Sequence, residues 1–170
     1  MKTTKLIFRH LLTLDARDLK HDAQLLPATR AEERFSGTLS TATGEFRSSG
    51  GTWRVGARGL FTRILDLRDA SGEALARFVP RLGGLIWDLR LANGSALNWR
   101  RGGFRHRYEF TDGEGSTVAR FSSAHWYADG TVRIEVPENR STSEPGVFAA
   151  VVLGSYLLAR RYQSETVSLV

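Results

Sequence analysis

The sequence predicts a mainly β fold: a closed antiparallel β-barrel of about 12 strands around a hydrophobic C-terminal α-helix at about residues 145–161. Three observations carry this expectation. The chain holds 17 glycines against 4 prolines, a composition suited to many tight turns. A strand–turn–strand pattern occurs twice, in segments 58–91 and 101–134. The most apolar stretch of the chain comes last, over Val147–Ala159.

The first third is the least regular. Thr4–Phe8 reads as a strand, and Phe35–Leu39, Glu45–Arg47 and Thr52–Val55 read as short strands between Ser/Gly turns. Residues 12–26 suit a short helix or a loop. Asp15, Asp18 and Asp22 fall at helical spacing with His21 beside them, which is either the solvated face of that segment or, less simply, a metal-binding cluster. No signal peptide is expected, because the apolar run after Lys2 and Lys5 breaks at Arg9 and His10. The expected location is cytoplasmic, with peripheral membrane association as an option.

The two copies align without a gap. Arg58-Gly59-x-Phe61 matches Arg101-Gly102-x-Phe104, Asp69-x-x-Gly72 matches Asp112-x-x-Gly115, Ala76-Arg77-Phe78 matches Ala119-Arg120-Phe121, and Arg90 matches Arg133. In the first copy, residues 60–68 and 74–79 are strands about an Asp69–Gly72 turn. Leu85–Leu91 follows as a strand, and Asn93-Gly94 turns the chain into Ala96–Trp99. In the second, 104–111 and 116–122 flank Asp112–Gly115, and Thr131–Val136 follows. The matching turns give Asp69 and Asp112 structural rather than catalytic roles.

Pro145 suits a first helical turn, and Arg160 and Arg161 suit the helix's C-terminal end. The apolar part spans about 20 Å at 1.5 Å per residue, short of a bilayer core of about 30 Å. Its length argues against a membrane span, and being apolar on every side argues against a surface position. A helix threaded through a closed sheet satisfies it, with Gly154 and Ser155 allowing a neighbour to approach closely. The whole chain, 1–170, is read as one such domain.

Composition excludes more than it assigns. With no cysteine, there is no disulfide framework, thiol nucleophile or thiolate-ligated metal site. No phosphate-cradling glycine loop or G-x-S-x-G elbow is present, and the four histidines show no HxH or HxxxH pairing. No catalytic residue, metal site or cofactor is therefore expected. The net charge of +6 is carried mostly by arginine, densest in Trp99–Tyr108. Strand alternation puts Phe104, His106, Tyr108 and Phe110 on one face and Arg105, Arg107, Glu109 and Thr111 on the other. Arg100, Arg101, Arg105 and Arg107 are the candidate ligand contacts. Arg63 and His106, at equivalent repeat positions, are candidates for a polar barrel mouth or an ordinary sheet rim.

The units Leu65–Gly72 and Tyr108–Gly115, with the closing Val151–Leu158, resemble the tubby C-terminal-like fold, most closely its LURP-one-related and phospholipid scramblase branches. The resemblance covers about residues 35–162 and implies a barrel of about 12 strands around a central helix. Residues 135–145 lack the aspartate-rich pattern of the scramblases' calcium segment, and the absent cysteines remove their lipidated region. The function expected is a non-enzymatic binding module that meets anionic lipid headgroups through its arginine-rich face. The alternative is a structural or protein-interaction barrel without a small ligand. Nucleic-acid binding rests only on the basic and aromatic stretch 99–108.

Overall fold

A computed structural model of the chain describes residues 4–12, 21–27, 37–40, 43–48, 50–58, 64–81, 86–102, 107–122, 132–137, 139–141 and 143–167. Across them the fold is mainly antiparallel β with one helix on the C-terminal side. The elements are β1 (Thr4–Leu12), β2 (His21–Pro27), β3 (Gly37–Ser40), β4 (Glu45–Ser48), β5 (Gly51–Arg58), β6 (Ile64–Arg68), β7 (Ala74–Arg81), β8 (Ile86–Leu91), β9 (Ala96–Gly102), β10 (Arg107–Thr111), β11 (Thr117–Ser122), β12 (Val132–Val136) and the helix α1 (Pro145–Val167).

From β2 to β12 each strand pairs with the next in sequence. β1 pairs with β2 on one side and β12 on the other, so the order of pairings returns to its start. Each described strand thus has a paired neighbour on both sides. The stretch 12–26 is thus neither helix nor loop where it is described. Leu12 closes β1 opposite His21, and β2 continues to Pro27. His21 and Asp22 are successive strand residues and so belong to opposite faces, while Asp15 and Asp18 lie outside the described residues. Local spacing suggested a helix there, but β2 is held by ladders to β1 and β3.

The repeat has a physical counterpart. β6 and β10 occupy corresponding positions, as do the starts of β7 and β11. In both turns the Asp N–H donates to the carbonyl four residues on (Glu73 at 3.1 Å, Ser116 at 3.0 Å) and the Gly N–H donates back to the Asp carbonyl. Gly72 and Gly115 take φ of 88° and 83°, which completes a type I turn with a left-handed fourth residue. The Asp carboxylates cap the loops: Asp69 accepts from the Glu73 N–H and Asp112 from the Ser116 N–H. Each hairpin also slips register by one residue at the same place, between Leu67 and Arg68 and between Phe110 and Thr111. This bulge breaks the alternation expected from the sequence, and Thr111, expected on the solvated face, is buried.

Equivalent strand positions supply the interior: Leu65 and Tyr108, Leu67 and Phe110, Ala76 and Ala119, Phe78 and Phe121, all buried. The rings interlock. Phe78 meets Phe110 at 5.9 Å, Trp99 meets Phe121 at 5.5 Å, and Phe110 meets Phe121 at 6.2 Å between centroids, all edge-on.

The helix enters through a turn in which the Glu144 carboxylate accepts the Ser141 N–H at 2.7 Å and the Glu144 carbonyl takes the first helical bond from Phe148. Residues 149–156 are all buried. At 100° per residue this run faces every direction, so protein surrounds it. Phe148 packs on Trp53 of β5, Gly154 lies under Phe121 of β11, and Leu157 and Leu158 meet Trp87, Trp99 and Tyr108 of β8 to β10. The helix runs to Val167, beyond the expected end near residue 161, because no Gly or Pro follows Gly154 to stop it. Arg160 and Arg161 therefore fall before its last turn, which holds no basic residue. At about 34 Å its length matches a bilayer core, but among the described residues no helix is both long and apolar enough to cross a membrane.

Candidate functional site

The outer face of the sheet is built from charge pairs in register. Asp66, fully buried, accepts from Arg77 Nε at 2.9 Å and Arg68 Nη2 at 3.1 Å. At the corresponding positions of the second copy, Glu109 sits directly opposite Arg120, with 3.7 Å between Glu109 Oε2 and Arg120 Nε. Arg100, opposite Glu109 on the other side, donates to it at 2.9 Å. Glu135 follows opposite Arg120 and Lys5 opposite Glu135, so charge alternates across five strands. Arg140 joins Asp112 in the β10–β11 turn to Glu144 at the helix entry.

Of the eleven arginines whose side chains are described, eight are held against a carboxylate. Among the described residues, Arg90, Arg101 and Arg107 have no such partner, and all three are exposed.

The basic stretch on β9 and β10 divides between the two faces. Arg100 and Arg107 are outward, and Arg100 is committed to Glu109. Arg107 lies opposite Gly102, so no side chain covers it from β9. Arg101 follows Leu97 and Trp99 on the inner face and sits directly opposite Tyr108, at the end of the strand. Below it Trp99 and Tyr108 stack, with centroids 5.1 Å apart and planes at 9°. These two rings, with Trp87, Leu157 and Leu158, line a cleft of about 190 Å³ between the sheet and the helix. An exposed guanidinium at the margin of an aromatic cleft can take an anionic group whose apolar part enters the cleft. Trp99 and Tyr108 are 7% and 8% exposed, and the other aromatic residues of the stretch 99–108, Phe104 and His106, lie outside the described residues.

A second concavity lies toward the other end of the strands. Ala74, Ala76, Arg77, Arg90, Leu91 and Ala92 line an open recess of about 240 Å³ between β7 and β8. Its two arginines face each other in the ladder. Sequence reasoning missed this place. Arg77 and Arg90 stand 13 positions apart within unremarkable strands, and only the β7–β8 register joins them. The cleft was half visible: the basic and aromatic residues were identified, but not the helix residues that form its wall.

Of the expected contacts, Arg101 and Arg107 lie at the same end of β9 and β10 but on opposite faces, Arg100 pairs with Glu109, and Arg63, Arg105 and His106 lie outside the described residues. Among the described residues, no group of three His, Asp or Glu side chains is placed to hold a metal ion. No protein-family model, curated protein or solved structure matches this chain.

Proposed function

We propose that this chain is a non-enzymatic binding module of tubby/LURP-one type, in which the ring of strands forms a closed barrel around the helix and one barrel end meets anionic lipid. It acts as a peripheral protein at the cytoplasmic face of a membrane. Arg101 and Arg107 contact the headgroup, and the cleft of Trp87, Trp99, Tyr108, Leu157 and Leu158 admits part of the apolar chain. The observation that carries this reading is the pairing of charges. Where most described arginines are neutralised within the fold, the two at this end remain exposed without a carboxylate, beside an aromatic cleft.

Co-sedimentation with vesicles tests it. Binding to phosphatidylserine-containing vesicles is expected at low salt, weakening as salt rises, with little binding to neutral phosphatidylcholine. At about 1 kcal/mol per basic residue near an anionic surface, the R101Q/R107Q double variant partitions about thirtyfold less. R100Q, whose charge is already matched by Glu109, changes binding little. Absence of binding at low salt refutes the proposal.

A second reading, a structural or protein-interaction barrel, draws on the helix that fills the interior and on the ion pairs that satisfy most of the outer face. It predicts a stable protein partner in pull-downs and no lipid binding.

A further inference from the structure

The two repeats differ at one electrostatic position. In the second copy, Arg120 of β11 lies opposite Glu135 of β12. In the first copy, the corresponding Arg77 of β7 lies opposite Arg90 of β8. The repeat would place Arg133 opposite Arg120, but the β11–β12 register is displaced and brings Glu135 there instead, while Arg133 pairs with Ser122. One copy is therefore neutralised and the other carries two like charges face to face, an arrangement that destabilises a sheet.

The surroundings of the arginine pair fit an anion. Asp66 takes Arg77 through Nε at 2.9 Å, a bond that uses one of the five guanidinium donors. The same carboxylate is shared with Arg68, whose Nη1 also donates to the Gly72 carbonyl at 2.8 Å. Arg90 has no carboxylate partner among the described residues. Arg68 and Arg77 thus share the Asp66 carboxylate, while Asp88, two residues before Arg90 on β8, is held by Arg81. Between Arg77 and Arg90 the alanines at 74, 76 and 92 leave an open recess of about 240 Å³, against about 30 Å³ for one water.

We infer that Arg77 and Arg90 form a binding site for a tetrahedral oxyanion of the phosphate type, held by charge-assisted bonds from both guanidinium groups. The anion supplies the negative charge that Glu135 supplies in the second copy. This site lies toward the opposite end of the strands from Arg101 and shares no residue with the lipid-binding reading.

The test uses the full chain and inorganic phosphate at constant ionic strength, followed by calorimetry and thermal melts. Saturable binding with an upward shift in Tm is expected. R90E, which recreates the charge order of the second copy, is expected to melt higher than the parent without phosphate and to bind phosphate at least about tenfold more weakly, the loss of one charge-assisted contact. R90Q gives the same loss of binding without a new charge, so the conclusion holds even if R90E folds poorly. R101Q/R107Q retains phosphate binding. Parallel measurements with glycerophosphoinositol phosphate and with vesicles bearing phosphatidylinositol phosphate identify the source. Binding lost in R90Q on vesicles assigns a lipid headgroup, and loss confined to soluble phosphates assigns a free one. No saturable phosphate binding, or equal binding by R90Q and the parent, overturns the inference.

Discussion

Gly154→Ala separates two opposing effects at the place where helix and sheet touch most closely. In a helix interior alanine is favoured over glycine by about 0.8–1 kcal/mol, so propensity alone predicts a more stable protein. Packing predicts the reverse. A Cβ at position 154 would lie 2.5 Å from Phe121 Cζ and 2.9 Å from Cε2. Phe121 cannot swing clear: it is fully buried, with Trp99 edge-on at 5.5 Å and Phe110 at 6.2 Å. Forcing an extra methyl into such a core costs about 1–3 kcal/mol, and a 2.5 Å contact belongs to the upper part of that range, about 2–3 kcal/mol, so the net expectation is a loss of about 1–2 kcal/mol. For a chain of this length that lowers Tm by about 3–6 °C, read by calorimetry. Because the cost arises from one contact, Phe121→Leu should recover part of it, and the double variant should be more stable than the sum of the single effects. An unchanged or higher Tm for Gly154→Ala would refute the view that the helix is clamped under Phe121.

Three further outcomes are expected. Ser155 is buried and its Oγ has no hydrogen-bond partner among the described residues, so Ser155→Ala should raise stability by about 1 kcal/mol in urea melts, with the m-value unchanged. Asp66→Asn leaves Arg68 and Arg77 facing a neutral amide; because these arginines are 30% and 51% exposed, solvent screens much of the penalty and a loss of about 1–2 kcal/mol is expected. The Ser71 hydroxyl bond holds the Asp69 carboxyl below its ordinary range, aided by backbone N–H groups of Glu73, Ser71 and Gly72 and opposed by desolvation. Its folded value is depressed, so its contribution is present above about pH 4 and is lost as pH falls through the lowered value. Asp69→Asn should flatten the acid limb of the stability curve, and a carboxyl titration by NMR should place Asp69 below a free aspartate.

The parts of the fold legible in the sequence are those set by local chemistry. Asp69–Gly72 and Asp112–Gly115 announce their turns because a carboxylate able to cap backbone N–H groups stands three residues before a residue able to take positive φ. Val147–Ala159 announces a surrounded helix because it has no polar face. What escaped depends on partners distant in sequence. His21–Pro27 is a strand through its ladders to β1 and β3, whatever the spacing of its aspartates. Thr111, expected to be solvated, is buried at the position where β11 inserts a residue into the ladder. Arg100 pairs with Glu109 because the two stand opposite each other in the ladder, and Arg77 and Arg90 meet only through the β7–β8 register. A list of charged residues cannot show which charges the fold has already matched.

Charges matched within the fold and charges left open, as at Arg101 and Arg107, should differ in what they bind. Native mass spectrometry of the intact chain incubated with phosphatidylserine and phosphatidylcholine tests it most directly. The account predicts a one-to-one adduct with phosphatidylserine in the parent and in R100Q, and its loss in R101Q/R107Q. An adduct of equal abundance in R101Q/R107Q, or none with the parent, would contradict it.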